Sequence, residues 1–124
     1  MNQATKGLFA RLRGLFRRGD RENMRLITDI RASMHAFSQK ASAMNGSYEQ
    51  EKRTIAALEE AAGKLEPSSA ITAAKMEQDI LMRITEASSA CDSVIVGRDG
   101  AEFRKRLSAL ELLVRQRGKL VEEA

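Results

Sequence analysis

Six apolar residues, Ile27, Ile30, Met34, Phe37, Ala41 and Met44, recur in alternating steps of three and four. A strand turns alternate residues to one face, so this spacing would scatter them over both sides of a sheet. On a helix of 3.6 residues per turn it draws one stripe. The same spacing returns in Tyr48, Ile55, Leu58, Ala62 and Leu65. It returns again in Ala73, Met76, Ile80, Ile84, Ala87, Cys91 and Val94. A last set, Phe103, Leu107, Leu110, Val114 and Val121, has Leu113 and Leu120 beside it. Each stripe must be buried against another, and stripes of this period pack as helix on helix. The expected fold is all-α, an antiparallel helical hairpin or bundle of coiled-coil type. Val94-Ile95-Val96 is a β-branched run too short and isolated to argue for a sheet.

Punctuation divides the stripes. Leu65-Glu66-Pro67-Ser68-Ser69 is the clearest break, with Pro67 outside a helix or at the first position of the next. Gly97-Arg98-Asp99-Gly100 is another, and Asp99 with Glu102 reads as a cap for the last helix. Asn45-Gly46 is a stop signal, both residues tolerating the left-handed conformation, and Ser47 with Gln50 resembles a capping box. Yet the heptad phase runs straight through it. Tyr48, Ile55 and Ala62 continue Ile27, Met34 and Ala41, while Leu58 and Leu65 continue Ile30, Phe37 and Met44, with Glu51 the one polar member of that series. An unbroken helix over 20–65 would be roughly 68 Å long at ~1.5 Å per residue. An interior glycine costs it only about 1 kcal/mol, so phase continuity favours the long helix over a break at 45–47. The remaining helices are expected at 69–96 and 100–122.

Ahead of this body, 20–124, stands a segment of different character, 1–19. Residues 6–18 read KGLFARLRGLFRR, nearly one heptad written twice. Thr5 can cap a helix there and Gly19 can end it, with Asp20 capping the next. On a wheel, Leu8, Phe9, Leu12, Leu15 and Phe16 fall within about 120°, with Lys6, Arg13 and Arg17 opposite and Arg11 and Arg18 on one edge. Charge is concentrated here. Residues 1–25 hold seven basic and two acidic groups, whereas the rest hold 14 basic and 15 acidic ones. A short basic amphipathic N-terminal helix of this kind suits the interface of an anionic membrane. The Leu and Phe would enter the acyl boundary while the five cations hold phosphate headgroups. Five apolar groups at ~1.5–3 kcal/mol and five cations at ~1 kcal/mol give on the order of 10 kcal/mol gross, much of it offset by ordering the segment. Binding is then reversible and gains from oligomer avidity.

Other readings of the stripe are a face that packs on the bundle itself, an organellar targeting peptide, and an arginine-rich nucleic-acid helix. The last lacks aromatics among its arginines and gains nothing from five bulky apolar groups, which argues against nucleic acid. Elsewhere no catalytic arrangement emerges. Single copies of Cys91 and His35 exclude an intramolecular disulfide and a zinc cluster. His35 falls at the edge of its stripe, and Cys91 lies on one as a small buried hydrophobe. Glu59-Glu60 and Glu122-Glu123 are adjacent pairs about 100° apart on a helix, so neither converges on a substrate. Gly97–Gly100 lacks the Lys-Ser/Thr of a phosphate loop, and Arg104-Lys105-Arg106 is a solvated face that would enlarge the basic surface if it folded back near the N-terminus.

The expectation is a non-enzymatic helical protein with no cofactor, metal or small-molecule substrate. It would be cytoplasmic and peripheral on the inner face of a membrane. The alternative is a soluble helical adaptor, chaperone or assembly subunit whose N-terminal stripe packs on a protein partner. Ala-rich helices leave thin cores, which favours a homo-oligomer or a helical partner.

Overall fold

The computed structural model describes residues 24–120. Helix α1 is described over 24–41, and α2 spans Glu49–Gly63, α3 Ile71–Ile95 and α4 Ala101–Gly118, with a 3₁₀ turn at Gly46–Tyr48 before α2. The helices pack together as a bundle, and the described residues contain no strand. The proposed caps at Thr5, Gly19 and Asp20, the stripe residue Val121, and the whole segment 1–19 lie outside the described residues.

The long helix over 20–65 gives way to two helices. At 42–44 the last α1 amides turn onto carbonyls three residues back, Met44 N to Ala41 O at 3.0 Å among them. Asn45 then leaves in an extended conformation (φ −72°, ψ 174°), and its side-chain oxygen accepts from Ser47 N at 2.9 Å. The stop therefore works through an Asn45 side-chain cap. Neither Asn45 nor Gly46 is left-handed, and Ser47 donates to the cap instead of forming it. Folding back lets the α2 stripe bury in the same core as the α1 stripe. A continuous helix would have left part of that seam in water, and a favourable heptad phase does not outweigh that burial.

Contacts between helices fix the arrangement. Arg31 of α1 reaches the carbonyls ending α2, and His35 meets Glu59, so α1 and α2 run antiparallel. Lys40 near the end of α1 meets Ser88 and Asp92 late in α3, so these two are parallel neighbours. Glu77 and Glu86 of α3 meet Arg117 and Arg106 of α4, an antiparallel pair. Glu51 of α2 meets Arg104 of α4. No part of α2 approaches α3. The order around the bundle is therefore α1, α2, α4, α3, and residues 64–70, which contain Pro67, carry the chain across the diagonal.

One core joins the stripes of all four helices. Phe37 and Phe103 meet edge to face in the part of the core toward the 42–48 and 96–100 turns, with ring centroids 6.4 Å apart and planes at 78°. Tyr48 stands edge-on to Phe103 from the other side at 6.2 Å. The expected seams hold with one correction in α3. Glu77, not Met76, takes the inward position between Ala73 and Ile80, and Met76 is half-buried. The α4 stripe extends likewise from Val114 to a buried Arg117.

The ends of α3 and α4 follow backbone rules. Arg98 N donates to Ser93 O and Gly97 N to Val94 O, each at 2.9 Å, with Gly97 at φ +91°. This is a Schellman ending, and its left-handed residue is the position where glycine is favoured. Gly100, not Asp99, is the N-cap of α4, with no side-chain cap bond. Gly100 is required for a different reason. A Cβ there would collide with the Tyr48 ring, lying 2.9 Å from Cζ.

Candidate functional site

The residues expected to bind a surface, Leu8, Phe9, Leu12, Leu15, Phe16, Lys6, Arg11, Arg13, Arg17 and Arg18, all lie outside the described residues. What the structure builds is the place where that segment joins the body. The described part of α1 begins, at residue 24, at the bundle end that also carries the 64–70 crossover, the start of α3 and the end of α4.

Two arginines from different helices hold this end together. Arg31 lies on the flank of α1 that faces α2. Its Nε donates to Ala62 O at 3.2 Å, and Nη2 donates to Gly63 O at 3.2 Å and Leu65 O at 3.0 Å. The final carbonyls of a helix lack intrahelical donors and carry its negative dipole end, so a guanidinium suits them. Arg117 does the same from the last turn of α4. Its Nη2 donates to Glu66 O in the crossover, and its Nε donates to Glu77 Oε2 at 2.9 Å. Glu77 is 0% exposed and Arg117 3%. The second carboxylate oxygen, Glu77 Oε1, is buried with no hydrogen-bond partner. Beside this clamp a cavity of about 180 Å³ is lined by Lys64 to Ser68, Arg117, Gly118 and Leu120.

Arg31, Glu77 and Arg117 were missed by a reading that looked for apolar stripes. For two of them the signal was present, because Glu77 and Arg117 are in phase with their stripes and carry opposite charges. Arg31 flanks its stripe and gave no such signal.

The other singled-out residues fall into structural roles. His35 is exposed at the α1–α2 boundary. Its Nδ1 lies 2.6 Å from Glu59 Oε2 and its Nε2 3.1 Å from Gln39 Nε2. Glu59 and Glu60 diverge to different partners, His35 and Lys64. Cys91 is buried. Burial pushes its thiol pKa up, with Lys40 opposing and Asp92 adding to the rise. Arg104-Lys105-Arg106 starts α4 at the end of the bundle opposite residue 24, where Arg104 pairs with Glu51 and covers the Tyr48 ring at 4.9 Å, and Arg106 pairs with Glu86 and Glu102. Among the described residues no group of His, Cys, Asp and Glu could hold a metal ion, and no helix is long and apolar enough to cross a membrane. No family model, curated protein or solved structure matches the chain.

Proposed function

We propose that this is a non-enzymatic helical protein that docks reversibly on an anionic membrane through residues 6–18 and presents its four-helix body there. Leu8, Phe9, Leu12, Leu15 and Phe16 insert at the acyl boundary. Lys6, Arg11, Arg13, Arg17 and Arg18 hold headgroup phosphates. The body serves assembly or partner recognition on the cytoplasmic side, with a second copy or a helical protein as its partner.

The observation that carries this reading is the pairing of five bulky apolar groups with five cations on opposite and marginal faces of one short segment. The architecture supports it. Among the described residues the seams of α1 to α4 meet in a single core. The contribution of a second copy would be avidity.

Vesicle co-sedimentation tests the reading, using anionic and neutral liposomes with the wild type and a Phe9→Asp/Phe16→Asp variant. The expected result is wild-type protein in the pellet with anionic lipid alone, falling as salt rises, and the variant in the supernatant. Wild-type protein remaining in the supernatant with anionic lipid would refute the attachment.

A further inference from the structure

Attachment through residues 6–18 limits where the body can sit, because little chain separates Arg18 from Met24. Those six steps reach about 20 Å at full extension. Helix α3 has 25 residues and is therefore about 37 Å long at ~1.5 Å per residue. Residue 24 must stay close to the surface that holds the segment, and the stretch of α1 over 24–41 sets it about 27 Å from the 42–48 turn at ~1.5 Å per residue.

The end that residue 24 shares carries apolar groups outside the core. Ile71, the first residue of α3, is 76% exposed, and Met24 is exposed as well. Nearby charges are mixed, Lys64, Lys75 and Lys119 against Glu60 and Glu66. The opposite end offers a poorer contact to anionic lipid. Glu49, Asp92 and Glu102 stand at or near it, by the 42–48 and 96–100 turns, with side chains more than half exposed, and a negative surface repels carboxylates.

We propose that the crossover end of the bundle, with Ile71 and Met24 at its tip, is a second contact with the same anionic lipid surface, so that the body stands with its long axis away from the membrane. This inference rests on the membrane reading of residues 6–18. The end contact orients the body and adds little to the affinity, since it offers two apolar side chains where the segment offers five. Standing upright leaves the α1–α3 and α2–α4 grooves open to partners.

The chain has no Trp, so one introduced indole reports on one place. Three single-site variants, Ile71→Trp, Val96→Trp and Leu112→Trp, fall at positions 76%, 71% and 59% exposed, where a larger side chain disturbs no core. They sample the crossover end, the opposite end and the flank of α4. Each full-length variant is mixed with phosphatidylserine-containing vesicles whose acyl chains are brominated, and co-sedimentation is read on the same samples. The indole at position 71 should be quenched and blue-shifted, while those at 96 and 112 keep their emission in water. Quenching at 96 or 112 as strong as at 71, or none at 71 with the protein in the pellet, overturns the upright pose and leaves the attachment standing. Failure of the wild type to sediment removes the attachment and the pose together.

Discussion

The buried pair of Glu77 and Arg117 makes a quantitative prediction about the bundle. Both side chains occupy stripe positions where Leu would pack, and both are almost wholly removed from water. The pair is joined by one bond of 2.9 Å, and Glu77 Oε1 is unpartnered. Glu77→Leu strands the Arg117 guanidinium in the apolar layer with only Glu66 O beside it. Removing one partner of a buried ion pair costs about 3–5 kcal/mol. Arg117→Leu strands the carboxylate and frees the crossover carbonyl. It should cost somewhat less than Glu77→Leu, because a carboxyl can take up a proton to shed its charge and a guanidinium cannot shed its own.

The double variant separates a register device from a stabilising bond. Replacing both residues by Leu fills the layer with apolar volume and removes the orphaned oxygen, itself worth about 1–3 kcal/mol of desolvation. Buried pairs exchanged for well-packed hydrophobes come out neutral or about 1–4 kcal/mol more stable. Urea unfolding followed by far-UV circular dichroism, on the wild type, both single variants and the double, gives the cycle directly. The expected result is two destabilised singles and a double variant at or above wild type, with equal denaturant slopes. A double variant as unstable as the worse single variant would refute the argument, because the cost would then lie in the shape of the layer and not in stranded charge.

Two further perturbations test local geometry. Gly100→Ala drives a Cβ into the Tyr48 ring and should cost about 1–3 kcal/mol by forcing the ring off its place. Adding Tyr48→Ala should recover much of the Gly100→Ala penalty when measured against Tyr48→Ala alone, and no recovery in urea unfolding would show that the clash is not the cause. Cys91 should resist a thiol reagent in the native state, since burial raises its pKa, and react at once in denaturant. The raised folded pKa also sets a sign for stability. The contribution is complete below the unfolded thiol value of about 8.5 and is lost as pH climbs toward the folded value. Cys91→Ser should flatten that alkaline decline, and an unchanged decline would assign it to other groups.

Stripe positions were legible wherever burial depends on period alone. Ile27 to Met44, Ile55 to Leu65 and Phe103 to Val114 read correctly because an apolar side chain in phase has nowhere better to go than the core. The turn at 42–48 was harder, since phase and cap chemistry pointed opposite ways. Phase continuity is a statement about one helix, whereas the answer was set by tertiary burial of two. Glu77 escaped a search for hydrophobes because its inward place is made tolerable by Arg117, forty residues on. Arg31 was invisible for the same reason, its partners being backbone carbonyls created only when α2 ends beside α1. As for the candidate surface, the sequence supplies its residue types and the described structure supplies only the end of the bundle to which they are joined.

Burial alone leaves the order of helices around the bundle undecided. Four stripes of similar composition could close with α2 beside α3, joined by a short loop, or with α2 diagonal to α3 as observed. The α3–α4 pairs survive in either arrangement, because those helices are neighbours in both. The Lys40–Asp92 and Glu51–Arg104 pairs exist only in the observed one. They are exposed, and such pairs contribute about 0–1 kcal/mol each, too little to select a topology by themselves. The Tyr48 ring is the stronger selector. It packs over Gly100 and edge-on to Phe103, with Arg104 across its face, and every one of those partners belongs to the start of α4. Moving α2 beside α3 would strip the ring of all three. Arg117 completes the choice at the other end by holding the crossover at Glu66 O. The diagonal is thus selected at both ends of the α2–α4 contact. At one end the selector is an aromatic ring that needs a glycine, and at the other an arginine that needs a turn.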